Sequence, residues 1–122
     1  EGISHRNTVM PQLIIEHSNA LLNDMDIKDA LQITLDCGGR MDFINKDDIK
    51  VRLLPYSHCV AGDGRTSFIH VTVYLLDGCT DALKEILSRA LLEDLAERFS
   101  AAQSISIDIR DMNRVCYKKR LV

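Results

Sequence analysis

One pattern of hydrophobic periods occurs twice along this 122-residue chain, and it limits the folds open to it. Each copy is a strand-like run, then an apolar stripe at helical spacing, then a second strand-like run. Alternation places successive side chains on opposite faces of a strand; a stripe at 3.6 residues places them on one face of a helix.

The first copy starts with Pro11-Gln-Leu-Ile-Ile-Glu-His-Ser18, where proline is tolerated as a first strand residue. Asn19–Asp24 is a polar connection. A helix is expected from Asp26, with Ile27, Ala30, Leu31, Thr34 and Leu35 on one face and a stop at Gly38-Gly39. A loop over Asp42–Asp48 leads to a strand, Ile49–Leu54. There Ile49, Val51 and Leu53 point one way and Lys50, Arg52 and Leu54 the other. Pro55 marks the end of this strand as an edge or a bend.

The strongest turn signal, Ala61-Gly-Asp-Gly-Arg65, separates the copies. Ser67–Leu75 is rich in β-formers and reads as a central strand, closed by Asp77-Gly78. The second helix carries Leu83, Ile86, Leu87, Ala90, Leu91, Leu95 and Phe99 as one stripe, with Thr80 or Asp81 as its cap. Ser104–Arg110 alternates again, with Ile105, Ile107 and Ile109 inward. Residues 115–122 are left as a short strand or packing arm.

A strand, a crossover helix and a parallel strand form one right-handed unit. Two such units give an α+β fold: a duplicated β-α-β chain with a four-stranded mixed sheet and both helices on one face. The short echo Asp29-Ala-Leu31 and Asp81-Ala-Leu83 agrees with duplication. A single domain of this length has a thin core. The sheet face without helices is therefore expected to pack against other subunits.

Composition excludes several classes. The chain is 46% hydrophobic and 27% charged, which is globular and not disordered. No apolar run is long enough to span a membrane, and no segment reads as a signal peptide. The net charge of -3 and the 5% aromatic content argue against a nucleic-acid partner. Cys37, Cys59, Cys79 and Cys116 form no C-x-x-C pair, and with scattered histidines no metal site is expected. The cysteines read as buried or half-buried free thiols in a cytoplasmic protein.

Residues 1–9 carry no apolar period, and Met10 reads as a natural initiator. They are set aside as an extension, with 11–122 as the single domain. Methionine is readily removed ahead of proline, which would leave Pro11 as a free secondary amine. An α-amino group in water titrates at about 7.7–8.0, and burial or nearby cations lower that value further. Pro11 is thus a catalytic candidate, a general base usable at neutral pH. Lys50 and Arg52, on one face of the neighbouring strand, are the substrate-binding candidates for an anion. His70, Glu16 and Tyr117 are more readily structural, and Lys118–Arg120 a solvated run.

Pro11–Ser18, Asp48-Ile-Lys-Val-Arg52, Asp63-Gly64, Phe68-Ile-His-Val-Thr72, the second helix and Ile105-Ser-Ile-Asp-Ile109 together resemble the 5-carboxymethyl-2-hydroxymuconate isomerase family of the tautomerase superfamily. The resemblance covers nearly all of residues 11–122. It implies a homotrimer, no cofactor, the amino-terminal proline as base and arginines that hold substrate carboxylates. Pro11 matches the catalytic proline and Arg52 a basic residue of the second strand. Lys50 stands where a substrate-binding arginine is expected; it keeps the charge but lacks the bidentate fork. Cys79 stands where a second such arginine is expected, and the charge is lost. Arg65 or Lys118–Arg120 could replace it.

Three readings follow, the third being a ferredoxin-like regulatory domain that would pair through its sheet edges as a dimer. The first is a cofactor-free isomerase of aromatic catabolism that moves a proton along a conjugated 2-hydroxymuconate-type acid. The second is a non-catalytic trimeric small-molecule-binding module of the same fold, which the loss of charge at Cys79 favours.

Overall fold

Strand β1 (Gln12–Ser18) begins directly after Pro11 and runs through the middle of a four-stranded sheet. The computed structural model describes residues 8–122. The remaining elements are α1 (Asp24–Gly39), β2 (Lys50–Tyr56), β3 (Phe68–Leu76), α2 (Asp81–Arg98) and β4 (Ser104–Met112), with one 3-10 turn at Lys46–Asp48. The sheet order is β2-β1-β3-β4. β1 pairs parallel with β2 and β3 parallel with β4, while β1 and β3 are antiparallel. This is the expected duplicated β-α-β arrangement, joined at its centre by β1 and β3.

One face of the sheet is the core. Leu13, Ile15, Ile69, Val71, Val73 and Leu75 are buried there against Leu87, Leu91 and Leu95 of α2 and Ala30 and Cys37 of α1. Burying each such Leu, Ile or Val contributes roughly 1.5–3 kcal/mol. α1 presents small residues to the sheet. A Cβ on Gly38 would lie 3.1 Å from Ile49 Cδ1, so this end of the helix packs very closely. The larger Leu31 and Leu35 are only half-buried; they flank Ile49 and Val51 in an open groove at the β2 edge.

Several boundaries differ from expectation, each for a local reason. α1 starts at Asp24, not Asp26, because Asn23 and Asp26 form a capping box: Asn23 Oδ1 accepts the Asp26 N–H at 2.9 Å and Asp26 Oδ2 accepts the Asn23 N–H at 3.2 Å. β2 continues through Pro55 to Tyr56, because β2 is an edge strand that tolerates a missing donor. Thr80 is the cap of α2, its Oγ1 accepting the Leu83 N–H at 3.2 Å. Ile86, expected on the buried stripe, is 54% exposed. The tail forms neither strand nor arm; after a turn at Asn113–Cys116, Val115, Leu121 and Val122 stand exposed. Cys59 and Cys116 are exposed, not buried; Cys37 is buried and Cys79 half-buried.

The face away from the helices is mixed. It carries Ile14, Leu54, Tyr56, Phe68 and Tyr74, interleaved with Gln12, Glu16, Arg52, His70, Asp108 and Arg110. Side chains cross-link it: the Tyr56 hydroxyl donates to Glu16, and His70 Nδ1 lies 2.6 Å from Ser106 Oγ. His70 is thus a half-buried residue of this face and no part of the core.

Residues 1–7 of the expected extension lie outside the described residues. Val9 is described, and it belongs to the core cluster at 6% exposure.

Candidate active site at the start of strand β1

Pro11 stands where three strand ends meet. Its carbonyl accepts the Lys50 N–H of β2 at 3.1 Å, and the register that follows sets Gln12 beside Lys50 and Ile14 beside Arg52. On its other side, Gln12 faces Tyr74 near the end of β3. A parallel β1–β2 pair therefore brings the start of β2, with both its cations, to the same end of the sheet as Pro11.

Lys50 and Arg52 are exposed on the face away from the helices, as alternation predicts. Arg52 Nη1 donates to Gln12 Oε1 at 2.8 Å. This bond ties the guanidinium to the residue next to Pro11. The amide is neutral, so it orients Arg52 without cancelling its charge. Gln12 escaped the sequence reading, although it lies next to Pro11 and shares the face of Lys50 and Arg52.

The proline itself is fully buried. Two residues upstream, the Val9 carbonyl accepts the Leu76 N–H at 2.8 Å. Met10, between them, holds a positive φ of 46°, a conformation that non-glycine residues adopt uncommonly. The backbone thus kinks at Met10 so that Val9 can reach the end of β3 and pack into the core. In the intact chain the Pro11 nitrogen is an amide and carries no basic lone pair.

The solved structures place this arrangement among known folds. A 5-carboxymethyl-2-hydroxymuconate isomerase from Deinococcus radiodurans R1 superposes with a TM-score of 0.80 at 21% identity, over 93% of this chain and 90% of that one. The chain has the tautomerase fold. A fused 4-OT solved as a symmetric trimer matches with a TM-score of 0.75 at 18% identity, over 88% and 90% of the two chains. A macrophage migration inhibitory factor-like protein from Entamoeba histolytica matches at 0.72 and 11% identity, over 91% and 96%. No protein-family model matches the sequence, and no curated protein does.

Within this tautomerase fold, the β3–α2 turn stands at the Pro11 end, directly after Leu76. Cys79 is half-buried there, and burial pushes its thiol pKa up, with Lys84, Asp111 and Arg114 as its charged surroundings. Arg114 comes from the segment after β4 and closes on the turn: its Nη2 donates to the Asp77 carbonyl at 2.8 Å. A Cβ on Gly78 would lie 3.7 Å from that nitrogen. Lys84 Nζ pairs with Asp111 at 2.8 Å. Neither Arg114 nor Lys84 carried a sequence signal, since each contact spans nearly thirty residues or more and follows no period.

Arg65, named as a replacement for the arginine expected at Cys79, does not stand beside Cys79 within one chain. It pairs with Asp63 at 2.6 Å and precedes β3, at the opposite end of that strand from Leu76. Lys118–Arg120 are exposed, and Lys118 Nζ donates to the Val115 carbonyl at 3.2 Å. Among the described residues no helix is long and apolar enough to cross a membrane, and no three of His, Cys, Asp and Glu gather as metal ligands.

Proposed function

We propose that the domain, once it begins at Pro11, is a cofactor-free isomerase acting on a conjugated 2-hydroxy acid. The observation that carries this reading is the β1–β2 register. It sets one exposed lysine and one oriented arginine beside a proline that starts a strand. Neutral Pro11 would take the proton of the 2-hydroxyl group, and the O–H electron pair would enter a dienolate. Lys50 and Arg52 would hold the carboxylate and oppose the charge that develops. The protonated amine would return the proton further along the conjugated system, leaving a shifted double bond. A positioned base of this kind contributes roughly 10²–10⁴-fold.

The likeness to a 5-carboxymethyl-2-hydroxymuconate isomerase supports the reaction class, and the likeness to a symmetric trimer supports a homotrimer. The mixed sheet face, with Ile14, Leu54, Tyr56 and Tyr74 at its surface, supplies apolar area for such an assembly. A place in aromatic catabolism, in the cytoplasm, is part of the same proposal.

A second reading, a trimeric binding module without catalysis, draws on the sealed state of Pro11 and on the uncharged Cys79. The two separate on one comparison. Protein beginning at Pro11 and its Pro11→Ala variant are assayed with 2-hydroxymuconate and titrated with the same compound. Turnover that disappears in the variant supports the isomerase; binding without turnover in both supports the module.

A further inference from the structure

Two surfaces of the chain complement each other in shape and charge. The first is the open groove at the β2 edge, about 440 Å³, walled by Leu31 and Leu35 of α1 and by Ile49 and Val51 of the β2 edge. All four are half-buried. At the Ile49 end α1 and β2 approach closely, since a Cβ on Gly38 would lie 3.1 Å from Ile49 Cδ1. Asp47 and Asp48 stand directly before Ile49, and Asp42 lies in the same connection. Among the described residues none of these three carboxylates forms an ion pair.

The second surface is the tail after β4. Val115, Leu121 and Val122 are exposed. Lys118, Lys119 and Arg120, between them, form no ion pair among the described residues. Lys118 Nζ donates to the Val115 carbonyl at 3.2 Å. A short segment thus carries three cations beside two exposed aliphatic side chains. The groove carries aliphatic walls beside three carboxylates. Leucine and valine gain by leaving water, and opposite charges brought close attract.

The tail does not lie in the groove of its own chain. The sheet order β2-β1-β3-β4 puts the groove at one edge and the root of the tail at the other. Joining the tail of one copy to the groove of the next makes a head-to-tail contact between unlike surfaces. Such contacts close into a ring when the rotation between copies permits.

We propose that residues 118–122 of one copy dock in the α1–β2 groove of a second copy. Leu121 and Val122 cover the aliphatic walls, and Lys118–Arg120 face Asp42, Asp47 and Asp48. This rests on the homotrimer reading and is independent of Pro11 as the base.

The test measures the mass of the full chain by sedimentation over a range of concentration. Leu121→Glu, at an exposed position, and a chain ending at Tyr117 are each expected to weaken association at least tenfold, with circular dichroism unchanged. Reversing the tail charges (Lys118→Glu, Lys119→Glu and Arg120→Glu together) or the loop charges (Asp47→Lys with Asp48→Lys) is expected to weaken it severalfold. The two sets combined are expected to restore it. Association as tight in Leu121→Glu as in its parent, or no restoration in the combined variant, overturns the tail contact and leaves the homotrimer standing. A monomeric parent overturns both.

A carbodiimide cross-link locates the contact. It is expected to join Lys118 or Lys119 to Asp42, Asp47 or Asp48. In an equal mixture of unlabelled and isotope-labelled protein, the linked peptides should include pairs of mixed label. Links of uniform label alone would place the tail on its own chain and overturn the proposal.

Discussion

The Val9 carbonyl and the Leu76 N–H are joined at 2.8 Å, so β-type pairing continues upstream of Pro11 across the kink at Met10. Val9 is a buried core residue, and the proline that follows is sealed beneath the chain. Removing everything before Pro11 would free the Leu76 donor at the place where the amine is created.

Stability should report this packing. Val9→Ala in the full chain is expected to lower unfolding free energy by about 1–2 kcal/mol, the range for truncating one buried aliphatic side chain. Protein beginning at Pro11 should show a loss of at least that size. Urea titration followed by circular dichroism measures both. No loss in either would mean that Val9 is not held in the core.

Gln12 orients Arg52 through a hydrogen bond to a charged group. Such bonds contribute about 1.5–3 kcal/mol when shielded from water and less when exposed, as here. Gln12→Ala in protein beginning at Pro11 is expected to raise KM about three- to tenfold, with kcat changed less. Gln12→Asn, whose shorter amide cannot span the same gap, should resemble alanine. Steady-state kinetics with a single conjugated 2-hydroxy acid measures this split. A fall in kcat alone would argue that Gln12 does not act through substrate binding.

The second helix makes a clear pair of opposites. Leu91 is fully buried and Ile86 is 54% exposed, although both belong to the stripe read from the sequence. Leu91→Ala is expected to cost about 2–5 kcal/mol, and Ile86→Ala less than about 1 kcal/mol, in denaturant unfolding of the full chain. In an assembly that covers Ile86, the cost of its truncation would rise with protein concentration.

Much of the fold was legible because it depends on local periods. Alternation found β2 and β4, runs of β-forming residues found β1 and β3, and the helical stripes found both helices within two residues at their starts. One feature depends on partners distant in sequence and carried no such mark: Ile86 falls on the stripe of α2, yet the buried residues of that helix are Leu87, Leu91 and Leu95. Pro55 marks its strand as an edge or a bend, and β2 is an edge that continues to Tyr56. At the site, the face shared by Lys50 and Arg52 was readable from alternation. The bond from Arg52 to Gln12 required the β1–β2 register, and the closure of Arg114 on the β3–α2 turn required the whole sheet.

The four thiols should separate by burial. Burial pushes the Cys37 thiol up to about 11 from an ordinary 9.0, with Asp94 adding to the shift. Its folded pKa exceeds the unfolded one, so its contribution is intact below about pH 9 and is lost as pH rises toward 11. Alkaline unfolding should therefore become shallower in Cys37→Ala between those values. At neutral pH, Cys59 and Cys116 should react first with a thiol reagent such as dithionitrobenzoate, Cys79 more slowly, and Cys37 only on unfolding. Rapid labelling of Cys37 in folded protein would contradict the packing of α1 on the sheet.

The most direct measurement compares two forms of the chain in one assay. Protein of residues 1–122 and protein beginning at Pro11 are given the same conjugated 2-hydroxymuconate, and isomerisation is followed by absorbance. The account predicts turnover only in the form with a free Pro11 amine. That turnover should fall at least about 10²-fold in Pro11→Ala, the lower end of what a positioned base contributes. Equal turnover by both forms, or a Pro11→Ala variant as active as its parent, would contradict it.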